Sequence, residues 1–438
     1  MSQATATPTI ESLARISGSG PRMASLADKL QPSTILKVAG EIRAMQAAGK
    51  DVCDLTVGDF DPKYFPIPEK LRDAAKKALD DGATNYPPST GIPKLRESVQ
   101  RFYARHLGLS YPLDSILIAA GARPLIYALF RVVVEPGDTV SYPAPCWNYP
   151  FYAEILNANG DAVICSPEDA FQPRPGALDA AIKKASLLIV NTPLNPAGTV
   201  TPRAAVLKLS EDIVRENEAR EKAGRRPIYL MYDHIYWMLS FGVEHVTPVA
   251  LVPEMAKYTI FIDGISKGFA ATGLRVGWAF GPTDVIAKMN IMLMHMGGWA
   301  PKPEQTASVV MLDDDDAISK YHEVLKPALT RRLTGLHQGF QKLKAQGHPV
   351  DSIEPTGAIY VSARVHPFGK KAANGAEIKT NEDVRRFLLE EAGLGVVPFQ
   401  AFGVPGDTGW MRLSVGSVSE AQIESGMARL GAALNALG

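Results

Sequence analysis

The chain has 438 residues, of which 46% are apolar and 21% are charged, and 46 Lys and Arg residues balance 46 Asp and Glu residues. This length is typical of two or three domains with a sizeable core. The zero formal net charge gives no general attraction to nucleic acid or to an anionic membrane. The longest nearly apolar run, residues 125–134, is interrupted by Arg131 and is shorter than the roughly 18 residues that a membrane span needs. We therefore expect a soluble protein without nucleic acid or membrane partners.

Three widely spaced cysteines, Cys53, Cys146 and Cys165, form neither a disulfide framework nor a zinc pattern. We therefore expect a cytoplasmic protein in a reducing compartment, with no metal. Residues 1–20 predict a mobile tail, and they lack the basic start and apolar stretch of a secretory signal. The alternative is a weak transit peptide, since Arg15 and the hydroxyl residues are compatible with one. Four adjacent aspartates at 313–316 indicate a solvated helix start or loop, because a cation site needs ligands that converge from several directions.

Residues 115–281 alternate short apolar runs with longer amphipathic segments, which predicts a mainly parallel sheet covered by helices. A helix over 201–221 is predicted with Thr201 as N-cap and Pro202 as first helical residue. The predicted strands of this sheet are residues 116–119, 139–142, 162–165, 187–190, 228–231 and 259–262.

A second, smaller α+β domain is predicted from both ends of the chain. The evidence is a helical pattern over 26–48, a strand over 51–57, long helical patterns after 316, and strand patterns at 358–363 and 411–414. The predicted organisation is a tail at 1–20, the first part of the small domain at 21–65, a large domain at 66–325 and the rest of the small domain at 326–438.

Polar residues with specific chemistry follow the predicted strands. Open α/β sheets bind ligands outside the carboxyl ends of their strands, so these residues should share one rim. They are Asn191 and Asn195 after 187–190, Asp233 and Tyr236 after 228–231, and Ser266, Lys267 and Arg275 after 259–262. After 116–119, the turn Gly121-Ala122-Arg123-Pro124 opens a helix, with Pro124 suited to a first helical position, and the free N–H groups of that helix would hold an anion.

This set of residues matches the needs of pyridoxal phosphate. The cofactor requires a lysine to bind it covalently, a carboxylate for the pyridine nitrogen, and donors for the ring hydroxyl. Its phosphate requires a helix N-terminus and an arginine, and its ring face requires an aromatic side chain. The sequence offers, in that order, Lys267, Asp233, Tyr236 with Asn195, Gly121 to Arg123 with Arg275, and Trp147.

Six motifs carry a family resemblance over residues 26–427. They are Ser266-Lys267-x-Phe269, Thr272-Gly273-x-Arg275-x-Gly277-Trp278, Asn195-Pro-x-Gly198, Asp233-x-x-Tyr236, Tyr86-x-x-x-x-Gly91 and Arg412-x-Ser414. In residue type and order the chain resembles the class I/II aminotransferases, which are fold-type-I pyridoxal-phosphate enzymes of the aspartate aminotransferase superfamily. The resemblance implies an α/β fold with a large cofactor-binding domain around a mainly parallel seven-stranded sheet, and a homodimer with shared active sites.

The resemblance also implies residue roles. Lys267 would bind the cofactor covalently, Asp233 would face the pyridine nitrogen, and Asn195 and Tyr236 would face the ring oxygen. The remaining implied roles are ring stacking for Trp147, phosphate binding for Ser266, Arg275 and the partner subunit's Tyr86, and substrate α-carboxylate binding for Arg412 and the backbone of Gly58. Trp147 and Asn195 would also contact the substrate.

The implied activity is transfer of an amino group between an L-amino acid and a 2-oxo acid by a ping-pong mechanism, with Lys267 as base and an aspartate-like substrate as first guess. Aromatic or aliphatic substrates are alternatives, as are β-elimination, cyclopropane-forming elimination and oxidative chemistry on the same cofactor. A transcriptional regulator would need an N-terminal DNA-binding module, for which about 25 residues are too few. An inactive scaffold would be expected to lose Lys267 or Asp233.

Several residues depart from the family pattern or have a second interpretation. Arg123 either adds charge at the phosphate or forms a surface salt bridge, and Trp147 either stacks on the ring or packs in the core. Asp233 could instead cap a helix. His234 should face away from Asp233 on an extended segment, which favours an indirect role or a satisfied core histidine. Cys146 is expected to be a packed residue, and the roles of His295 and Trp299, near the partner site, remain open.

Overall fold

The computed structural model describes residues 10, 14, 23–29, 34–373 and 375–437. Apart from residues 10 and 14, the predicted tail at 1–20 lies outside the described residues. The architecture is α/β, with one seven-stranded and mostly parallel sheet and a separate four-stranded antiparallel sheet. This confirms the predicted fold class.

The strands are short and fall in both halves of the chain. They are β1 (Cys53–Asp54), β2 (Ile116–Ala119), β3 (Thr139–Ala144), β4 (Asn159–Ile164), β5 (Leu187–Asn191), β6 (Tyr229–Asp233), β7 (Thr259–Gly264), β8 (Gly277–Phe280), β9 (Val350–Ser352), β10 (Tyr360–Val365), β11 (Leu394–Gly395), β12 (Val397–Pro398) and β13 (Trp410–Ser414).

The α-helices precede, separate and follow these strands. They are α1 (Ser25–Lys29), α2 (Thr34–Ala47), α3 (Glu69–Asp80), α4 (Pro93–Leu107), α5 (Ala122–Val133), α6 (Tyr149–Ile155), α7 (Asp179–Lys184), α8 (Arg203–Lys222), α9 (Pro248–Leu251), α10 (Ile265–Gly268), α11 (Thr283–Met296), α12 (Lys302–Leu312), α13 (Asp315–Ala345), α14 (Asn381–Glu390) and α15 (Glu420–Asn435).

The large sheet has the strand order β2-β8-β7-β6-β5-β3-β4, and only β8 runs antiparallel to its neighbours. Helices cover both faces, so the central strands are apolar on both sides. Leu230 packs into the core on one face and the adjacent Met231 into the core on the other. Strand β8 was not among the six strands predicted individually.

The smaller sheet has the order β12-β13-β10-β9, and β1 pairs in parallel with β11. One apolar core joins Leu55 and Phe65 from the start of the chain to residues of α13, β10, β13 and α15 near its end. The two chain ends therefore form one α+β unit, as predicted. Helix α13 runs continuously through residue 326, where the sequence predicts a domain boundary.

Some predicted boundaries are wrong. Helix α8 begins at Arg203 with Pro202 as its N-cap, because the Thr201 hydroxyl donates a 2.7 Å hydrogen bond to the Gln172 side chain instead of capping the helix. Pro124 is the third residue of α5 rather than the first, since the helix already begins at Ala122. Strand β10 begins two residues later than predicted because Ala358 has a φ of +59°, which a strand does not accommodate.

Other predictions hold with shifted ends. The predicted helix at 26–48 is observed as α1 and α2, the predicted strand at 51–57 is only the two residues of β1, and the one predicted at 162–165 is β4. Asp314 caps α13 through the Ala317 N–H, and Asp313 pairs with Arg101, so the aspartate run is a solvated helix start. Within the described residues no His, Cys, Asp and Glu side chains form a group that could hold a metal, and no helix could span a bilayer.

Candidate active site

A cavity of about 530 Å³ lies at the carboxyl ends of the central strands. Its lining brings together residues that are more than 350 positions apart in the chain, including Gly58 and Arg412. Eleven residues predicted for the site line the cavity, namely Gly58, Ala122, Arg123, Trp147, Asn195, Asp233, Tyr236, Ser266, Lys267, Arg275 and Arg412. Gly121 and Tyr86 are not among its lining residues.

Lys267 lies on the short helix α10, directly after β7, and its side chain is enclosed by protein but partly accessible from the cavity. Its Nζ donates a 2.5 Å hydrogen bond to the Gly58 backbone oxygen. Burial lowers the pKa of Lys267 from 10.5 to about 8, and the nearby Asp59 carboxylate partly opposes this shift. With this pKa roughly a tenth of the amine is neutral at pH 7, far more than at the usual pKa, and the neutral amine is the form that acts as a nucleophile or base.

Asp233 lies at the end of β6 and accepts two hydrogen bonds through its carboxylate. The Tyr149 hydroxyl donates to Oδ2 at 2.7 Å, and the Ile235 N–H donates to Oδ1 at 3.2 Å. Burial raises the pKa of Asp233 to about 6, while these two hydrogen bonds lower it. The sequence motifs did not identify Tyr149, because nothing in its spacing indicates that α6 places it behind β6.

Asn191 fixes the loop that carries Asn195. The Asn191 side-chain amide donates to the Asp233 backbone oxygen at 2.9 Å, and its Oδ1 accepts from the Asn195 N–H at 2.8 Å. The side chain of Asn195 is thereby held beside Arg412, whose Nη1 donates to Asn195 Oδ1 at 3.2 Å.

Arg412 lies on β13 and is almost fully buried, with 2% of its surface exposed. One nitrogen donates to the Thr56 backbone oxygen, and Nε has no hydrogen-bond partner within the described part of the chain. The guanidinium lies 4.8 Å from the ring centres of both Tyr360 and Phe402. A buried guanidinium with a free donor is poised to bind a carboxylate in its planar fork.

The N-terminus of α5 and Arg275 form the positively charged end of the cavity. Arg275 donates to the backbone oxygens of Thr272 at 2.7 Å and Ala120 at 3.2 Å, which leaves further donors free. Gly121, at a φ of +84°, packs directly against this guanidinium, and a Cβ there would collide with it. The absence of a side chain at Gly121 therefore leaves room for the Arg275 guanidinium, and Gly121 itself does not line the cavity.

Arg123 lines the cavity at the first turn of α5, with its guanidinium 4.8 Å from the centre of the Trp147 ring. Its charge lowers the pKa of Arg275 by repulsion, although burial is the larger cause. The guanidinium of Arg123 thus lies at the same end of the cavity as Arg275. Trp147 presents its ring to the cavity and contacts Tyr149 edge-on at 5.7 Å.

Tyr86 is 83% exposed, and its ring contacts Trp299 edge-on at 5.3 Å. His295 is exposed near the end of α11. Tyr86 therefore faces outward rather than into the cavity.

His234 is fully buried and does not line the cavity, in agreement with the prediction that it faces away from it. It packs against Tyr103 and Phe261, with ring centres 5.6 and 5.1 Å away, and burial lowers its pKa well below 6.5. Its two ring nitrogens have no hydrogen-bond partner among the described residues, so it is a core histidine but not a satisfied one. Cys146 is buried, and burial raises the pKa of its thiol, as expected of a packed residue.

Two further lining residues, Asp59 and Tyr360, were not predicted. Asp59 accepts a 2.5 Å hydrogen bond from the Thr272 hydroxyl and is the anion beside Lys267. Tyr360, on β10, has its hydroxyl 2.6 Å from that of Tyr236. Asp59 could have been found from the sequence, because it directly follows Gly58. Tyr360 could not, because only the packing of the two sheets brings it to the cavity.

The residues present fit pyridoxal phosphate. The free donors of Arg275, the first turn of α5 and Ser266 suit its phosphate, and Lys267 suits its aldehyde carbon. Asp233 would hold the proton on its ring nitrogen. The buried Nε of Arg412, which lacks a partner within the described chain, is left for a substrate carboxylate.

Comparison with known proteins agrees with this geometry. A model of the family "Aminotransferase class I and II" matches residues 50–430. An aspartate aminotransferase of Rhizobium meliloti is 29% identical, covering 97% of this chain and 99% of the relative. An aspartate/prephenate aminotransferase of Thermus thermophilus is 31% identical, covering 85% of this chain and 90% of the relative.

Solved structures give the same result. The Thermus thermophilus aspartate aminotransferase with maleate superposes with a TM-score of 0.83 at 28% identity, covering 94% of this chain and all of that chain. The Rhizobium meliloti aspartate aminotransferase also has a TM-score of 0.83, at 29% identity, covering 96% of this chain and all of that chain. The chain belongs to the class I and II aminotransferase family and is a pyridoxal-phosphate-dependent transaminase.

Proposed function

We propose that this aminotransferase exchanges the amino group of an L-amino acid with a 2-oxo acid by a ping-pong mechanism, with aspartate as its first-choice amino donor. The observation that carries the proposal is the convergence of Lys267, Asp233, Arg275 and Arg412 on one cavity. Arg275 suits the phosphate of the cofactor, Asp233 its ring nitrogen and Lys267 its aldehyde carbon, and Arg412 is left for one substrate carboxylate.

Each of these residues has a chemical task in the proposal. When bound, the cofactor supplies an electron-withdrawing ring that stabilises negative charge at the substrate Cα. Asp233 holds the proton on the ring nitrogen, which keeps that ring electron-withdrawing. The amine of Lys267 takes the proton from Cα and returns it later in the reaction, which its pKa of about 8 favours at neutral pH.

Further residues would orient the cofactor and the substrate. Tyr236 and Asn195 would donate to the cofactor's ring oxygen, and Trp147 would stack on its face. Arg412 and the backbone of Gly58 would bind the α-carboxylate, which fixes the Cα–H bond relative to Lys267. Ser266, Ala122, Arg123 and Arg275 would hold the phosphate, with Gly121 making room for Arg275.

The choice of aspartate is supported by the names of the relatives, several of which are aspartate aminotransferases. The cationic lining residues are Arg123, Lys267, Arg275 and Arg412, and the roles above employ all four. An acidic substrate side chain therefore needs a cation from outside this lining, such as one from a second subunit.

We also propose a homodimer in which each protomer provides Tyr86 to the phosphate of the other. Tyr86 is exposed and absent from its own protomer's cavity lining. Three exposed apolar side chains, Ile291, Met294 and Met296, precede the tryptophan that Tyr86 contacts, and exposed apolar groups of this kind favour an interface. We place the enzyme in the cytoplasm, which is consistent with three free, buried cysteines.

A spectroscopic screen of the first half-reaction tests the proposal. The holoenzyme is mixed with each common L-amino acid without an oxo acid, and the absorbance of the bound cofactor and the released products are followed. Aspartate should convert the cofactor to its aminated form and release one oxo acid per site. Release of ammonia or pyruvate without aminated cofactor would instead favour elimination. A faster reaction with an aromatic or aliphatic amino acid would show that this amino acid, and not aspartate, is the preferred donor.

A further inference from the structure

Tyr360 connects the two halves of the candidate site. Its side chain comes from β10 of the small sheet, whereas Tyr236 comes from the loop after β6 of the large sheet. The two hydroxyl oxygens are 2.6 Å apart, and both side chains are buried, with 0% and 2% of their surface exposed. At this distance one hydroxyl donates a hydrogen bond and the other accepts it.

The proposed role of Tyr236 sets the direction of this hydrogen bond. A tyrosine hydroxyl has one proton to donate and two lone pairs that accept. When Tyr236 donates its proton to the cofactor's ring oxygen, it can only accept from Tyr360, so Tyr360 is the donor. The Arg412 guanidinium lies 4.8 Å from the centre of the Tyr360 ring, which connects this pair to the substrate side of the site.

The backbone around Tyr360 is packed so that the ring has little freedom. A Cβ on Gly58 would collide with the Tyr360 hydroxyl, and a Cβ on Gly198 would collide with the Tyr360 backbone oxygen. Gly198 also has a φ of +74°, which favours glycine at that position. Two glycines, one on each side, therefore leave the space that Tyr360 occupies. Such close approach fixes the hydroxyl relative to Tyr236 and the ring relative to Arg412.

We propose that Tyr360 is a positioning residue that directs Tyr236 at the cofactor and supports Arg412 for the substrate carboxylate. Since its hydroxyl occupies an acceptor site of Tyr236, the proton of Tyr236 is left to point at the cofactor's ring oxygen. The inference rests on the proposed roles of Tyr236 and Arg412. Tyr360 thereby fixes the position of Tyr236, on the cofactor side of the site, relative to Arg412, on the substrate side.

The test is Tyr360→Phe in the holoenzyme, because this change keeps the ring beneath Arg412 and removes only the hydroxyl. A hydrogen bond to the cofactor's ring oxygen stabilises the negative charge on that oxygen. The nitrogen that joins Lys267 to the cofactor is then protonated less readily. The pH midpoint of the cofactor's visible absorbance change should therefore rise by roughly 0.5 to 1 unit when Tyr236 is released. We expect kcat to fall about threefold to tenfold, with KM for the amino donor changed by less than about twofold.

Tyr111→Phe is the matched control. Tyr111 is buried, its hydroxyl has no partner within the described residues, and it does not line the cavity. Its loss of a hydroxyl should leave the pH midpoint and both kinetic constants unchanged. Tyr360→Leu removes the ring as well, and it should raise KM for the amino donor beyond the value for Tyr360→Phe.

The outcomes are distinguishable. A Tyr360→Phe enzyme with unchanged pH midpoint and unchanged kcat would overturn the positioning role, and so would an equal shift in Tyr111→Phe. Equal KM values for the Phe and Leu variants would remove the proposed support of Arg412. If the unmodified holoenzyme itself shows no cofactor absorbance that depends on Lys267, the proposed function fails rather than the role of Tyr360.

Discussion

The side-chain nitrogen of Lys267 lies 2.5 Å from the backbone oxygen of Gly58. Lys267 follows the central strand β7 of the large sheet, whereas Gly58 follows β1, which pairs with β11 near the other end of the chain. The amine is thus held where the two structural units meet. Because the contact is to a neutral carbonyl, it leaves burial as the main influence on the charge of the amine.

The first prediction concerns the pH dependence of cofactor capture. Only the neutral amine of Lys267 attacks an aldehyde, and burial lowers the pKa of this lysine to about 8. In the apoenzyme the capture rate should therefore rise with pH, reach half its limit near pH 8 and become constant above it. Stopped-flow absorbance after mixing apoenzyme with pyridoxal phosphate measures this rate, and a rate that still climbs at the usual pKa of 10.5 would contradict the assignment.

The second prediction isolates the contribution of Asp59. This carboxylate raises the pKa of Lys267, so Asp59→Asn should move the midpoint of the capture profile to lower pH. An asparagine oxygen can still accept from the Thr272 hydroxyl and the Phe60 N–H, so the loop should be preserved. The same stopped-flow profile is the measurement. A midpoint that stays in place or moves to higher pH would show that Asp59 does not act on the amine.

The third prediction concerns the hydrogen bond from Tyr149 to Asp233. Its loss in Tyr149→Phe should raise the pKa of Asp233 further above its usual range, because this bond lowers it. Since the carboxylate form is the one that holds a proton on the cofactor, the acidic limb of the kcat/KM profile should move to higher pH. We expect kcat/KM at neutral pH to fall about threefold to tenfold.

The pH profile of kcat/KM and titration of the apoenzyme with the cofactor check the third prediction together. Tyr111→Phe serves again as a control, because its hydroxyl has no partner within the described residues. A profile for Tyr149→Phe that overlies the unmodified enzyme would show that Tyr149 only fills space.

The sequence predicted the site residues that directly follow a strand of the parallel sheet. The carboxyl ends of parallel strands meet at one edge, so residues such as Asp233 and Lys267 could be expected together. Tyr360 and Tyr149 could not be, because their places depend on how the small sheet and α6 pack against that edge. Strand β8 was missed as a separate strand for a similar reason, since its pairing with β2 and β7 is antiparallel and long-range.

The fourth prediction tests the close approach at Gly58. A Cβ in Gly58→Ala would collide with the Tyr360 hydroxyl, so this variant should lose stability or shift that ring, at a cost of about 1 to 3 kcal/mol. The double variant Gly58→Ala with Tyr360→Phe should recover part of the loss. A double-mutant cycle in chemical unfolding measures this coupling, and strictly additive effects would mean that the two residues do not meet.

The fifth prediction concerns Arg412. Arg412→Lys keeps the charge but loses the planar fork and the contacts with two aromatic rings. KM for the amino donor should rise roughly tenfold or more, while cofactor binding should change little. Steady-state kinetics and cofactor titration separate these effects, and a loss confined to cofactor affinity would place the role of Arg412 elsewhere.

We propose that Lys267 both binds the cofactor and moves the substrate proton in a transamination. A single-turnover experiment with the holoenzyme and L-aspartate, compared with Lys267→Ala, tests it most directly. We expect one oxo acid and one aminated cofactor per site in the unmodified enzyme. Lys267→Ala should lack both this turnover and the absorbance of covalently bound cofactor. Persistence of that absorbance in Lys267→Ala, or product formation without amination of the cofactor, would contradict it.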